Sequence, residues 1–119
     1  MATNPPADRA GTIALLNDRA RLGLDRAARI TFTRNCLTTF CDPDTTGIAV
    51  IQSQLLAAFR DCGFSDDSPE RDFAVIEFQG RKVWLKIDCY DRELCYGSDD
   101  PADASVTTRV VTILLPEDY

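Results

Sequence analysis

The chain has 119 residues, of which 45% are hydrophobic and 27% are charged, and it carries a formal net charge of −6. A chain of this length buries roughly two thirds of its unfolded surface on folding, so one core can stabilise it, and the composition excludes a disordered or fibrous protein. The charge is uneven, +1 over residues 1–63 and −7 over residues 64–119. Nucleic acid is therefore disfavoured as a partner and a basic protein surface is favoured.

The N-terminal part predicts a tail and one helix. Residues 1–7 have neither a basic start nor an apolar run, so they predict a flexible tail and no secretory signal. Asp8 is a suitable N-cap for a helix that continues to Leu22, and Gly23 is placed to end it. The apolar residues of its predicted buried face are Ile13, Leu16 and Ala20.

Residues 29–63 predict a strand, a loop and the main helix. Residues 29–33 alternate between apolar and polar side chains, which indicates a short strand. The following segment through Asn35, Asp42 and Pro43 is typical of a loop. Residues 46–62 have the strongest helical pattern, which predicts the central packing helix, ended by Gly63. Its apolar positions are Ile48, Ile51, Leu55, Ala58, Phe59 and Cys62.

The C-terminal half predicts three strands. Residues 72–79 and 81–90 flank Gly80 and predict a β-hairpin whose second strand turns Trp84 outward, beside Lys82 and Lys86. An exposed loop over residues 91–105 leads to a last strand over residues 106–115. The order α-β-α-β-β-β predicts a single two-layer α+β domain over residues 1–119, with two helices on one face of a small, mostly antiparallel sheet.

Cysteine content and hydropathy indicate a cytoplasmic protein. Five cysteines form an odd set in a chain that needs no crosslink, which favours free thiols in a reducing compartment. The alternatives are a regulatory or intermolecular disulfide and a metal site, although the available spacings are wider than those of zinc knuckles. Candidate ligands for such a site are Cys36, Cys41, Cys89 and Cys95. No run of about eighteen apolar residues predicts a membrane span.

The segment from Asp88 to Asp103 contains six carboxylates in sixteen residues. In one interpretation these carboxylates are structural, so that Asp99 and Asp103 cap turns and Asp88 or Asp91 pairs with Arg92 or Arg109. In another they are the charged part of a surface that binds a basic protein, with aromatic side chains as anchors. The predicted partner-binding residues are Trp84, Tyr90, Asp91, Glu93, Tyr96, Asp99, Asp100 and Asp103.

A third interpretation of the acidic segment is catalytic. Clustered carboxylates can hold Mg²⁺ or Ca²⁺, as in a small divalent-cation-dependent hydrolase or nuclease. The chain has no histidine, and its isolated glycines form no phosphate-binding loop, so no catalytic residue, metal or cofactor is assigned. The candidate ligands in this alternative are Asp88, Asp91, Asp99, Asp100 and Asp103.

Residues throughout the C-terminal half also carry a family resemblance. They are Glu70, Asp72, Phe73, 84–88, Tyr90, Asp91, 96–98, 100–103, 108–110, Thr112, Ile113, Leu115 and 117–119. With them the chain resembles the bacterial domain-of-unknown-function family 3768, whose short members are often carried on mobile elements and have no established activity. Residues 15–18 and 30–33 resemble its N-terminal part, whereas Cys89 and Pro116 depart from its pattern.

We expect, on these grounds, a non-enzymatic small acidic protein-interaction module. The resemblance, through mobile elements, favours a regulator or inhibitor of a host system, such as an anti-CRISPR protein that covers a basic groove. We expect no direct binding to nucleic acid or membrane, and a homodimer through Trp84 is the competing use of the outer sheet face. The expectation depends on the aspartates of residues 91–103 facing solvent rather than being engaged by caps and arginines.

Overall fold

A computed structural model describes the backbone of residues 6–119 and the side chains from Arg9 onward. Helix α1 spans Pro6–Arg21. Of the predicted tail, residues 1–5 lie outside the described part, whereas Pro6 and Ala7 already belong to α1. The predicted N-cap at Asp8 is wrong, since a proline is well accommodated in the first turn of a helix and α1 begins at Pro6.

Gly23 ends α1 as predicted. Its φ of 78° lies in the left-handed region that glycine adopts without strain. The Gly23 N–H donates to the Ala20 carbonyl at 3.1 Å, and the Leu24 N–H donates to the Arg19 carbonyl at 2.8 Å. These two bonds are those of a Schellman cap, which satisfies the last carbonyls of the helix.

The chain continues through six further helices and strands. They are strand β1 (Arg29–Phe32), helix α2 (Arg34–Phe40), helix α3 (Ile48–Arg60) and strands β2 (Phe73–Phe78), β3 (Arg81–Tyr90) and β4 (Thr108–Leu114). Single 3-10 turns cover Ala104–Val106 and Pro116–Asp118. No helix within residues 6–119 combines the length and the apolar character that crossing a membrane requires.

Helix α2 lies where a loop was predicted, so the described residues form three α-helices rather than two. The Thr33 hydroxyl caps its N-terminus by accepting the Cys36 N–H at 3.2 Å. One turn apart, Cys36 and Phe40 bury their side chains against the core. Tertiary burial of these two residues outweighs the weak helical propensity of Thr38 and Thr39.

The four strands form one mixed sheet in the order β1-β4-β3-β2. β2 and β3 pair antiparallel, as do β3 and β4, whereas β1 pairs parallel to β4. The two-residue turn between β2 and β3 is Gln79-Gly80, with φ values of 50° and 78°. Positive φ at both positions is the geometry that matches strand twist in a tight hairpin.

All three helices pack on the same face of the sheet and form the core with it. The predicted role of α3 is confirmed by Ile51, Leu55 and Phe59, which are fully buried at intervals of four residues. α3 nevertheless ends at Arg60, before Gly63, and Ile48 in its first turn is 50% exposed. The sheet side of the core consists of Ala74, Val83, Leu85, Ile87, Val111 and Ile113.

Candidate functional site

The second face of the sheet carries no helix from the described part of the chain, and we call it the open face. Strand alternation assigns its side chains, because residues directly opposite in the register point to the same side. Trp84 lies opposite Val75 and Leu114, and Phe73 lies opposite Lys86. The open face therefore combines apolar and charged side chains on a rigid platform.

Three aromatic rings form a row on the open face. The ring centroids of Phe73 and Trp84 are 5.2 Å apart, and those of Trp84 and Tyr119 are 5.9 Å apart, both in edge-to-face geometry. Neighbouring Val75 is 44% exposed and Tyr119 is 82% exposed. We call Phe73, Trp84 and Tyr119 the aromatic row, and with Val75 it presents a patch of apolar surface at one end of the sheet.

A shallow groove of about 470 Å³ borders the aromatic row. Its charged rim contains Lys86, whose Nζ lies 2.6 Å from Asp88 Oδ2. The hydrogen bond with Asp88 raises the pKa of Lys86, although partial burial opposes the shift. The groove thus combines the Lys86–Asp88 ion pair and Asp72 with the apolar surface of Phe73 and Trp84.

The Tyr119 ring is held in the row by the C-terminal 3-10 turn. Asp118 Oδ2 accepts hydrogen bonds from Thr33 Oγ1 at 2.7 Å and from the Leu115 N–H at 3.0 Å. Asp118 Oδ1 accepts from Asn35 Nδ2 at 2.9 Å. The final residues therefore fold back onto the sheet beyond the end of β4.

The predicted partner-binding residues separate into two groups. Tyr90, Asp91 and Tyr96 lie at the far end of β3, where a small hairpin is closed by the Asp91 N–H bonding to the Tyr96 carbonyl at 2.8 Å. Trp84 is six residues earlier on β3, which places it roughly 20 Å from Tyr90. The structure brings together the tyrosines and the acidic loop, residues 91–105, but it does not bring Trp84 to them.

Most carboxylates of the acidic loop are engaged by turns. Asp91 Oδ1 accepts the Cys95 N–H at 2.9 Å, Asp100 Oδ1 accepts the Ala102 N–H at 3.2 Å, and Asp103 Oδ1 accepts the Ser105 N–H at 2.9 Å. The side-chain and backbone bonds from Ser105 lower the pKa of Asp103. Asp100 also pairs with Arg9 at 2.6 Å.

Within the described residues, the carboxylate oxygens of Glu93 and Asp99 accept no hydrogen bond, unlike those of the other acidic residues of this loop. Both are exposed, as is the neighbouring Tyr96, which is 78% accessible. Asp103 is exposed as well, although its Oδ1 accepts the Ser105 N–H. Turn formation accounts for the rest of the loop's acidic composition.

A buried arginine fastens the acidic loop to the core. Arg109 is 1% exposed, its Nε donates to Asn17 Oδ1 at 2.7 Å, and its Nη2 donates to the Pro101 carbonyl. Asn17 is itself buried and donates through Nδ2 to the Glu70 carbonyl at 2.9 Å. The predicted pairing of Arg109 with Asp88 or Asp91 is wrong, because its guanidinium points to the helix side and to a backbone carbonyl.

No three acidic or cysteine side chains between Arg9 and Tyr119 are close enough together to bind a metal ion. The five cysteines are free thiols, with Cys36 buried and Cys95 exposed. Burial, followed by the nearby charge of Asp118, raises the pKa of Cys36 to about 11. The carboxylates of residues 88–103 are spread along a strand and successive turns rather than converging on one point.

Sequence reasoning missed Phe73, Val75 and Tyr119. The two β2 residues could have been found by continuing the alternation of β3 across the two-residue turn, since Val75 faces Trp84. Tyr119 had no such signal, because its position depends on hydrogen bonds between Asp118 and residues more than eighty positions away.

A comparison with protein families matches a part of the chain that includes Phe73 and Trp84 and ends just before Tyr119. A family described as "Protein of unknown function (DUF3768)" matches residues 45–118, more than half of the chain. The match includes α3 and strands β2 to β4, and the resemblance of residues 15–18 and 30–33 lies outside it. No curated protein and no solved structure matches the chain significantly.

Proposed function

The chain belongs to DUF3768, a family of unknown function, and we propose that it is a small acidic protein-interaction module that regulates or inhibits a partner with a basic surface. The observation that carries the proposal is the aromatic row on the open face. Aromatic side chains are the commonest anchors of protein interfaces, whereas isolated exposed apolar residues are ordinary. Trp84 contacts the ring on either side of it, so the row would serve a partner as a preformed anchor.

A partner that covers the open face would gain binding free energy by burying its exposed apolar side chains. Fully burying a large apolar side chain contributes roughly 1.5–3 kcal/mol. Phe73 is 37% exposed, and Val75 and Tyr119 are exposed further, so each retains area to bury on binding. Because β2 and β3 already hold Phe73 and Trp84 in place, little side-chain entropy is lost when the partner docks.

Charge favours a basic partner. Residues 64–119 carry a net charge of −7, and complementary potentials accelerate encounter and reject like-charged competitors. A capped carboxylate keeps its charge, so Asp91, Asp100 and Asp103 still contribute to the negative field, while Glu93 and Asp99 can make direct contacts. The acidic loop is thus proposed to attract the partner and the aromatic row to anchor it.

The proposal is tested by capture with matched variants. Wild-type protein, Trp84→Ala, Tyr119→Ala and Val50→Ala are immobilised and exposed to a lysate of the native host, and captured proteins are quantified by mass spectrometry. Val50→Ala is the control, because Val50 is 50% exposed but lies on α3. We expect a basic protein whose recovery falls at least tenfold with either aromatic variant and not with the control.

Salt provides the second arm of this test. Recovery of the partner should also fall between low and high sodium chloride, since exposed charges are screened within about 10 Å at 0.1 M salt. Recovery that is equal for the wild type and both aromatic variants would exclude the open face as the anchor. Circular dichroism of each variant confirms that loss of binding is not loss of fold.

A further inference from the structure

Strand β2 is an edge of the sheet and carries few of the usual protections of an edge, although the segment 63–68 lies beside its first residues. Natural edge strands are blunted by proline, lysine, bulges or short length. β2 has six residues, Glu77 is its single charged residue, and its pairing with β3 is uninterrupted. The opposite edge, β1, is only four residues long and begins with Arg29.

The hydrogen-bond pattern identifies the free backbone groups of β2. The Ile87 N–H donates to the Asp72 carbonyl at 2.8 Å, and residues bonded across an antiparallel ladder recur at every second position. Ala74, Ile76 and Phe78 therefore bond to β3. The N–H and C=O groups of Phe73, Val75 and Glu77 point away from it, and no other backbone group within residues 6–119 bonds to them.

A groove of about 420 Å³ lies along this edge. It touches the consecutive residues Phe73, Ala74 and Val75, whose side chains alternate between the two faces, so it must lie beside the strand rather than above it. No β3 residue lines it, and its outer wall is formed by the segment 63–68. The groove thus leaves room at the positions where a further strand would bond.

We propose that an extended basic segment of the partner binds in this groove as a fifth strand, bonded to the backbone of β2. The added strand rests on the proposed function, because it assumes a basic protein partner. Addition of a strand to an exposed edge takes its affinity from backbone hydrogen bonds and its specificity from alternate side chains. The occupant's side chains would alternate accordingly.

The two sides of the edge favour different side chains. On the open face, Phe73 and Val75 present apolar surface to every second residue of the occupant. On the helix side, Asp72 and the exposed Asp67 line the groove and favour lysine or arginine. A segment with alternating apolar and basic residues therefore fits the edge.

Charge disfavours a second copy of this chain as the occupant. Residues 64–72 contain four acidic residues and one arginine, and Glu77 adds a further charge on β2. Symmetric antiparallel pairing around Val75 would set each Glu77 opposite a Phe73 and would place two C-terminal halves, each with a net charge of −7, at one interface. Like charges brought together at an interface are destabilising, whereas a basic strand neutralises them.

The test uses two blocked peptides, acetyl-(Lys-Val)3-amide and acetyl-(Glu-Val)3-amide, with ¹⁵N-labelled protein. Amide hydrogen exchange is measured by NMR with and without peptide. We expect the lysine peptide to slow exchange at the unbonded amides of Val75 and Glu77 at least tenfold. The glutamate peptide should have no effect.

Variants at Val75 complete the test. Val75→Pro removes an N–H that takes no part in the β2–β3 ladder and should weaken binding of the lysine peptide at least tenfold, whereas Val75→Thr should bind within twofold of wild type. Peptide binding that shifts Trp84 and Tyr119 without protecting Val75 would overturn strand addition and leave the proposed function standing. Strand addition by a basic segment would also be overturned if the lysine peptide did not bind. The same holds if protection of Val75 increased with protein concentration in the absence of peptide.

Discussion

The side-chain oxygen of Asn17 on α1 accepts a hydrogen bond from Arg109 on β4, at 2.7 Å and across 92 positions of sequence. Both side chains are 1% exposed. Through this bond the buried guanidinium of Arg109 donates to an uncharged acceptor. Arg109 also donates to the Pro101 carbonyl, which attaches the acidic loop to the same point. The helix layer, the sheet and the loop are therefore joined at a single polar cluster.

Removing the Asn17 side chain should destabilise the folded protein. Asn17→Ala leaves Arg109 Nε unpaired in the interior and the Glu70 carbonyl without its donor, so we expect a loss of about 3 kcal/mol in the free energy of unfolding. Urea denaturation measures it. Asn35→Ala, at an exposed asparagine, should cost less than about 1 kcal/mol, and equal losses for the two variants would contradict the assignment.

Arg21 should stabilise α3 from outside that helix. Its side chain is 4% exposed, and Nη1 donates to the Phe59 carbonyl at 2.6 Å and to the Arg60 carbonyl at 3.1 Å. A cation at a helix C-terminus satisfies free carbonyls and complements the helix dipole. Arg21→Met should cost about 2 kcal/mol in urea unfolding, whereas Arg19→Met on the exposed side of α1 should change stability by less than about 0.5 kcal/mol.

The C-terminal turn should lose stability in acid. Partial burial raises the pKa of Asp118. The hydrogen bonds from Thr33, Asn35 and Leu115 together lower it by more, so the pKa lies below the ordinary 3.8. A carboxyl with a depressed pKa in the folded state contributes stability above its unfolded pKa and loses it as pH falls through the folded value.

The matching measurement compares wild type with Asp118→Asn by urea unfolding at several pH values. Wild type should be the more stable protein above about pH 5, and the difference should shrink as pH falls below 3.8. A difference that stays constant down to the lowest pH would contradict the role of the charged Asp118.

Thiol reactivity should follow burial. Cys95 is exposed, whereas burial, and secondarily the charge of Asp118, raises the pKa of Cys36 to about 11. Since thiolate is the reacting form, iodoacetamide at pH 8 should modify Cys95 of the folded protein first and Cys36 only after unfolding. Mass spectrometry of digests taken over time gives the order, and early modification of Cys36 would place it outside the core.

Local patterns predicted the elements whose side chains alternate or recur in register. β3 was predicted with its observed bounds, Arg81–Tyr90, and the buried face of α3 was recognised from Ile51, Leu55 and Phe59. α2 escaped because a seven-residue helix with two buried residues has no measurable period. The parallel pairing of β1 with β4 joins residues about eighty positions apart, which no local pattern encodes.

The site was harder to predict than the fold. Trp84 was correctly placed on the outer face, but its ring neighbours come from β2 and from the C-terminal turn. For the acidic loop the sequence left turn capping and partner binding open, because an aspartate that caps a turn and an aspartate that faces a partner look the same in sequence. The folded structure distinguishes them: Asp91 and Asp103 accept hydrogen bonds from backbone N–H groups, whereas Asp99 accepts none.

Photo-crosslinking in the native host shows whether a basic protein docks at the edge of the open face. A benzoylphenylalanine is placed at Val75 on the edge of the open face or, as control, at Val50 on α3, and irradiation is followed by identification of the joined species. We expect a covalent product with a basic protein from position 75 and none from position 50. Products of equal yield from both positions, or from position 50 alone, would contradict this expectation.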